Sequence, residues 1–339
     1  MTGFKDIVGQ ESIISHMKNA IKLNKISHAY IINGEKGMGK KTIAKIFSMT
    51  LQCEKGGDEP CMQCHSCKQA ISNNHPDIRW ITHEKPSTIA IDEVREQINN
   101  DILIKPYSSK YKIYIVDEAE KLTIQAQNAL LKTIEEPPAY GIIMLLTNNK
   151  DSFLQTILSR CVALEMRPVA STDIINYLRE KEKIPDYQAK MVVNFAGGNL
   201  GRAIRLASME EFNELKDMVI RHLTGICDAS VTDISGYVKE AATFKDNISE
   251  YIDLMVAWFR DVLIFKASKD INQLIFKENI SLIEKYVIRI SYNGINRIFE
   301  AADKVGLRLR ANVNFDLTIE LLLMCIRENL CRFVKHVLH

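Results

Sequence analysis

The fold of this chain is decided by one glycine-rich stretch, Gly34-Glu35-Lys36-Gly37-Met38-Gly39-Lys40-Lys41-Thr42. The stretch follows an apolar run, 29–32, and precedes residues with helical spacing from Ile43 onward. In the pattern Gly-x-x-x-x-Gly-Lys, glycines let backbone N–H groups turn inward around phosphates at a helix N-terminus, and the lysine reaches the outer phosphates. Gly34, Gly39 and Lys40 match this pattern, so the sequence predicts a nucleotide-binding phosphate loop that also includes Gly37.

The position after Lys40 departs from the usual pattern. A Ser or Thr hydroxyl is expected there as a ligand of the magnesium ion, but the chain has Lys41, and Thr42 comes one residue later. One residue is a rotation of about 100° on a helix, so we expect Thr42 to point away from the metal. The sequence therefore predicts poor hydrolysis of ATP and leaves the binding of ATP and Mg²⁺ in doubt.

Length and composition limit the classes of protein that fit. A chain of 339 residues with 46% hydrophobic and 25% charged residues suggests two or three globular domains. A net charge of +2 excludes a strongly basic tail as the main means of binding nucleic acid. The N-terminus lacks an apolar signal core, and no apolar run is long enough to span a bilayer, so we expect a cytoplasmic protein.

Short apolar segments alternate with helical patterns through the first half of the chain. Strands are predicted at 29–33, 77–81, 111–116, 142–147 and 162–166. Ile91, Val94, Ile98 and Ile102 predict a helix over 90–102, and Thr123 is suited to cap another. Several strands are wholly apolar, which indicates a parallel sheet covered by helices on both faces.

Two acidic residues, Asp117 and Glu118, end the predicted strand 111–116. In a nucleoside triphosphate site an Asp here holds magnesium, and a Glu orients or deprotonates the attacking water. An isolated Asp-Glu pair after a strand is usually a solvated turn. Downstream of a phosphate loop, however, the pair predicts the second half of a nucleotide site.

Four cysteines, Cys53, Cys61, Cys64 and Cys67, form the spacing C-x7-C-x2-C-x2-C. Four thiolates this close in a loop can surround one metal ion tetrahedrally, and zinc is the metal that we favour. An iron–sulfur cluster is the alternative that remains open, because it also takes four cysteines. The local pattern C-x-x-C-H also fits covalent haem attachment, but haem would leave Cys53 and Cys67 unexplained.

After Pro168 the strand signal disappears and every segment has a helical period. Helices are predicted from Ser171 to about Lys183, from Pro185 to Gly197, and from the capping residue Asn199 to Leu206. We therefore predict a fold of class α/β plus all-α. Its domains are 1–167 with the cysteine module at 53–67, a three-helix domain at 168–208, and a helical domain at 209–339.

Four further segments carry a family resemblance, and they are Phe4-Lys5-Asp6-Ile7-Val8-Gly9-Gln10, Ser27-His28-Ala29-Tyr30, Asn128-Ala129-Leu130-Leu131-Lys132-Thr133-Ile134-Glu135-Glu136-Pro137-Pro138 and Ser159-Arg160-Cys161. They resemble the AAA+ subunits of clamp loaders, most of all the delta-prime type of the bacterial DNA polymerase III clamp loader. The resemblance implies an AAA+ domain with an inserted zinc module, a small helical lid and a C-terminal helical collar. It also implies a hetero-pentamer with gamma/tau and delta subunits that acts on a sliding clamp and primer–template DNA.

The resemblance also implies roles for single residues. Arg160 matches an arginine finger that acts in trans on ATP bound by a neighbouring gamma/tau subunit. Asn148 matches the first sensor position of the family, and Arg202 resembles the second. Lys41 departs from the active pattern Gly-Lys-Thr, which favours a delta-prime-type scaffold in which Asp117 and Glu118 are vestigial.

Three functions follow from these observations. The favoured one is a clamp-loader scaffold with little or no ATP hydrolysis, which lends Arg160 to a neighbour during DNA replication. The main alternative is an ATP-hydrolysing subunit of the gamma/tau type that uses Lys40, Asp117 and Glu118. The third is a free-standing zinc protein that binds nucleic acid.

Overall fold

Five short parallel strands form the sheet on which the first part of the chain is built. The computed structural model describes residues 3–209, 211–310 and 313–331. The strands are β1 (Ala29–Asn33), β2 (Ile78–Trp80), β3 (Lys112–Val116), β4 (Gly141–Thr147) and β5 (Val162–Glu165). Their order in the sheet is β2-β3-β4-β1-β5, and Tyr30 of β1 lies opposite Met144 and Val162. The predicted parallel sheet is therefore confirmed, and its five strands lie within two residues of the predicted bounds.

The two faces of the sheet are covered by different helices. Successive strand residues point to opposite sides, so alternate residues of each strand pack against different helices. Tyr30 and Ile32 belong to one apolar cluster, which also contains residues of the helices that precede and follow β1 in the chain. Ala29 and Ile31 belong to a second apolar cluster. The helices associated with the sheet are α1 (Glu11–Lys22), α2 (Lys40–Leu51), α3 (His65–Ile71), α4 (Ile91–Val94), α5 (Ile124–Glu135) and α6 (Gln155–Leu158).

Helix α5 begins where the sequence predicts. The Thr123 hydroxyl accepts a hydrogen bond from the Ala126 N–H at 3.2 Å, which satisfies one donor of the first turn. Helix α4, in contrast, is shorter than predicted, since it continues as a π-helical turn over Arg95–Asn99 and a 3-10 turn over Asp101–Leu103. Val94, Ile98 and Ile102 are all buried, and the wider turn keeps side chains spaced by four residues on one face.

Three more helices follow the sheet: α7 (Ser171–Glu180), α8 (Asp186–Ala196) and α9 (Leu200–Ser208). They match the three helices predicted after Pro168. The structure divides the chain into two compact units, Met1–Arg205 and Leu206–His339, so these helices belong almost entirely to the unit that contains the sheet.

The second unit is helical throughout the part that the structure describes, apart from short turns. Its core includes the fully buried side chains of Trp258, Phe259 and Tyr251. Its helices are α10 (Phe212–Gly225), α11 (Val231–Ala242), α12 (Ile248–Ser268), α13 (Ile280–Arg289), α14 (Tyr292–Arg310) and α15 (Phe315–Cys331). Among the described residues, no helix of either unit is both long and apolar enough to cross a membrane.

Candidate nucleotide site and cysteine centre

The phosphate loop joins the carboxyl end of β1 to the N-terminus of α2. Gly37 and Gly39 have φ angles of 96° and 99°, which are left-handed values that glycine adopts without steric cost. The Lys40 ammonium folds back and donates hydrogen bonds to the carbonyl oxygens of Gly34 and Glu35. Burial lowers the pKa of Lys40, although Glu120 and Asp117 oppose that shift. The loop thus has the backbone form and the lysine that phosphate binding requires.

Lys41 pairs directly with the acidic residue at the end of β3. Its Nζ lies 2.6 Å from Asp117 Oδ2, with the lysine side chain 67% exposed and the carboxylate 24% exposed. The residue after Lys40 therefore faces Asp117, as a magnesium-binding hydroxyl would, but it presents an ammonium group. Magnesium binds through oxygen ligands, so the residues present here do not fit this ion.

Glu118 is also paired within the chain. Its backbone is left-handed, with φ 49° and ψ 43°, and its Oε2 lies 2.5 Å from Lys121 Nζ. The hydrogen bond from Lys121 is the main cause that lowers the pKa of Glu118, so the carboxylate is ionised at neutral pH. The carboxylate predicted to orient a water molecule is therefore held by a lysine three residues further on.

Asn148 lies at the same edge of the sheet as the phosphate loop. It directly follows β4, the neighbour of β1, and its side chain is exposed. Its backbone N–H donates to Glu120 Oε2 at 3.4 Å. Because the carboxyl ends of parallel strands meet at one edge, the fold brings Asn148, Asp117 and the phosphate loop together.

The N-terminus of α9 contacts the phosphate loop through hydrogen bonds. The Asn199 amide donates to the Lys36 carbonyl at 2.9 Å, and the Gly201 N–H donates to the Gly37 carbonyl at 3.1 Å. Asn199 Oδ1 also accepts from the Arg202 N–H at 3.1 Å, which is the predicted helix cap. These bonds bring the backbone of Arg202 close to the loop that carries Lys40.

The four cysteines predicted as metal ligands form one cluster. The sulfur atoms of Cys53, Cys61, Cys64 and Cys67 all lie within 4.8 Å of one another. Three of the sulfurs accept backbone N–H groups at 3.4 Å, from Cys61 to Cys53, from Cys64 to Cys61, and from Cys67 to Cys64. A cluster of four thiols with oriented backbone donors can hold one metal ion.

The thiols of this cluster differ in their surroundings. Backbone N–H groups of Gln63 and Cys64 lower the pKa of Cys61 to about 6. Burial raises the pKa of Cys67, which has no exposed surface. Ser66, next to Cys67, donates from its hydroxyl to the carbonyl of Gln52 at 2.7 Å and so ties the cluster to the residue that directly follows α2.

Arg160 lies at the opposite end of the sheet from the phosphate loop. It lies two residues before β5, and β5 pairs in parallel with β1. Arg160 is therefore near the amino ends of these strands, whereas the phosphate loop follows the carboxyl end of β1. Its side chain is 41% exposed; Nη2 lies 3.0 Å from Glu135 Oε1, and Nη1 donates to the Thr156 carbonyl at 3.1 Å. Arg160 therefore does not join the chain's own phosphate site.

Comparisons with known proteins agree with this architecture. Residues 9–170 match the family model described as "DNA polymerase III, delta subunit". The delta' subunit of DNA polymerase III from Bacillus subtilis (strain 168) is 28% identical over 324 residues, covering 94% of this chain and 96% of its own. The tau subunit of the same organism is 30% identical over 298 residues, covering 81% of this chain. The chain belongs to the clamp-loader subunits of DNA polymerase III.

This clamp-loader chain spans only about half of the tau subunit, 52% of its length. Among solved structures, a gamma subunit-related protein from Thermotoga maritima aligns with 93% of this chain and 99% of its own. That alignment has 19% identity and a TM-score of 0.43.

Three contacts of the clamp-loader chain were missed by sequence reasoning. Lys121 pairs with Glu118, Glu135 pairs with Arg160, and Asn199 binds the Lys36 carbonyl besides capping α9. The spacing of three residues between Glu118 and Lys121 could have predicted their ion pair. The contacts of Glu135 and Asn199 had no such signal in the sequence, because their partners lie far away along the chain.

Proposed function

We propose that this clamp-loader chain is the delta-prime subunit, or stator, of a DNA polymerase III clamp loader. In this role it helps to load the sliding clamp onto primed DNA during replication and does not hydrolyse ATP itself. The similarity to the Bacillus subtilis delta' subunit supports this role, because it covers 96% of that protein and leaves no large part unmatched.

The observation that carries the proposal is the ion pair between Lys41 and Asp117. Hydrolysis of ATP by a phosphate-loop protein needs a magnesium ion held by a hydroxyl and an Asp, and a residue that orients water. Here the hydroxyl is missing, Asp117 binds an ammonium group, and Glu118 binds Lys121. We therefore expect negligible ATP turnover by the purified chain. Robust turnover that Lys40→Ala abolishes would contradict this expectation.

Arg160 is proposed as the residue that this subunit contributes to catalysis. A guanidinium placed at the γ-phosphate of a neighbour's ATP stabilises the charge of the transition state, an effect worth about 10³–10⁵ in rate. The ion pair of Arg160 with Glu135 joins two half-exposed side chains, and such pairs contribute only about 0.2–1 kcal/mol. Arg160 can therefore exchange this weak partner for a phosphate at low cost.

The assembly is proposed from the family alone. The chain takes its place in a hetero-pentamer with gamma/tau and delta subunits, using 209–339 as the collar and 168–208 as the lid. Co-elution of the purified chain with gamma/tau and delta subunits on gel filtration tests this. Elution of the chain as a separate peak under conditions where the other subunits assemble would contradict it.

We propose that the cysteine cluster holds zinc as a structural ion. Four sulfur donors suit zinc or an iron–sulfur cluster, and the four sulfurs here lie within 4.8 Å of one another. The distances between the sulfurs suit a single ion, since two ligands of a tetrahedral ion with bonds of about 2.3 Å lie nearly 4 Å apart. Cys61 Sγ and Cys67 Sγ are 3.9 Å apart. Elemental analysis should find one zinc per chain, and bound iron would contradict the assignment.

A second candidate function is an ATP-hydrolysing subunit of the gamma/tau type. The 30% identity to the Bacillus subtilis tau subunit favours it, because this identity is slightly higher than that to the delta' subunit. The turnover assay with Lys40→Ala separates the two candidates, since only the gamma/tau type predicts turnover that depends on Lys40.

A further inference from the structure

The phosphate loop carries its own cation at the place where this fold family binds a divalent metal ion. Lys41 Nζ lies 2.6 Å from Asp117 Oδ2, and Lys121 Nζ lies 2.5 Å from Glu118 Oε2. Each carboxylate at the end of β3 is thus neutralised by an ammonium group of the same chain. A magnesium ion entering this place would meet two positive charges and would gain no hydroxyl ligand.

The Lys41 ammonium is also open to a ligand from solvent. Its side chain is 67% exposed, although it is anchored by Asp117, whose side chain is only 24% exposed. An ammonium group has three donors, and Asp117 accepts only part of them. Lys41 therefore presents a positive charge and further donors on the first turn of α2, directly beside Lys40.

The ligand that fits this arrangement is an anion without its metal. Backbone N–H groups of the loop and the start of α2, together with two adjacent lysines, attract phosphate oxygens. In a magnesium complex the ion already occupies phosphate oxygens, and it would lie close to the Lys41 ammonium. Free phosphate oxygens, in contrast, can accept hydrogen bonds from both lysines.

We propose that Lys41 replaces the divalent cation, and that this loop binds a nucleoside di- or triphosphate in its metal-free form. This inference goes beyond the proposed scaffold role, which requires no nucleotide at this loop. It names a ligand class and a mode of binding for the site whose hydrolytic groups are paired.

The test measures the affinity of the full-length, zinc-loaded chain for ATP by isothermal titration calorimetry. One buffer is freed of magnesium with a chelating resin, because a soluble chelator would also strip the cysteine cluster; the other contains millimolar MgCl₂. We expect binding in the first buffer and binding weaker by about threefold or more in the second. In Lys41→Thr the response should reverse, with magnesium strengthening binding by about tenfold.

Lys45→Thr is the matched control, since it makes the same change one turn further along α2. The Lys45 ammonium binds Asn73 at 2.6 Å and the Ile71 carbonyl, so it does not take part in the loop. This variant should keep the wild-type response to magnesium. Lys41→Gln, which removes the charge without adding a short hydroxyl, should weaken binding in both buffers.

Two results would overturn the proposal. One is wild-type binding that magnesium strengthens, and the other is no binding in either buffer by a chain whose circular dichroism shows that it is folded. Neither result affects the co-elution test of the clamp-loader role. A chain that binds metal-free ATP but fails to co-elute would instead contradict that role and leave this inference intact.

Discussion

The contact between α9 and the phosphate loop predicts a measurable effect of adding one methyl group. In Gly201→Ala the new Cβ would lie 3.0 Å from Gly37 Cα and 3.1 Å from the Gly37 carbonyl carbon, and closer still to its oxygen. All three atoms belong to the backbone, so no flexible side chain can move aside. The helix and the loop must therefore separate, which strains the hydrogen bond from the Gly201 N–H to the Gly37 carbonyl.

The size of this effect follows from two opposing contributions. Overpacking costs about 1–3 kcal/mol, whereas replacing Gly by Ala in a helix contributes at most about 1 kcal/mol in the other direction. A net loss of about 1–2 kcal/mol raises the population of the separated state about 5- to 30-fold. Hydrogen exchange read by mass spectrometry should show faster exchange by this factor at the backbone of 34–41 and of 199–203.

Gly236→Ala is the matched control for this prediction. Gly236 lies within α11, its added Cβ meets no atom within 4 Å, and its φ is not positive. This variant should be more stable than the wild type by about 0.5–1 kcal/mol, without faster exchange at 34–41. Wild-type exchange at 34–41 in Gly201→Ala would refute the docking of α9 on the loop.

Three further predictions concern the cysteine cluster, a buried histidine and the partner of the proposed finger. Cys61→Ser should release the metal ion and loosen 53–75 while the sheet stays folded, as elemental analysis and hydrogen exchange would show. Burial lowers the pKa of His222 below its usual 6.5, so the unfolded chain binds more protons than the folded chain. The free energy of unfolding of the second unit should therefore fall as pH drops below about 6.5, by at most about 1.4 kcal/mol per pH unit. Glu135→Gln should raise the ATPase rate of the reconstituted complex by at most about fivefold, because it removes only an exposed ion pair with Arg160.

Each of these predictions has its own control. Cys161→Ser removes a thiol outside the cluster and should keep the metal ion. His222→Gln should abolish the acid dependence of the second unit, and an unchanged dependence would show that another group causes it. Glu136→Gln makes the same change next to Glu135, at an exposed residue, and should leave the rate unchanged; an equal rise in both variants would contradict the specific role of Glu135.

Patterns that are local in sequence predicted much of the fold and of the site. Gly34 to Lys40 defines a loop within seven residues, and the four cysteines lie within fifteen, so the chain has little freedom to separate them. The strands were predictable for a related reason. Tyr30 and Ile143 each lie in a run of apolar residues with no polar neighbour in sequence. Runs of this kind are typical of strands that are buried on both faces of a parallel sheet.

The contacts that change the interpretation of the site link residues that are distant in sequence. Lys41 could be recognised as a missing magnesium ligand, but its ion pair with Asp117 depends on β3 lying two strands away from β1. Asn199 was predicted as a helix cap, yet its bond to Lys36 joins residues 163 positions apart. Periodicity and capping rules carry no information about such pairs, because they describe only neighbours along the chain.

In the proposed role, this chain supplies Arg160 to a neighbour's ATP and performs no hydrolysis of its own. The most direct test is the rate of clamp loading by a complex reconstituted with Arg160→Ala, with its assembly checked by gel filtration. We expect an intact complex whose loading rate falls sharply. Arg160→Lys should restore little of that rate, because an ammonium lacks the planar fork of the guanidinium. Loading at the wild-type rate by an intact Arg160→Ala complex would show that Arg160 does not act on a neighbour's ATP.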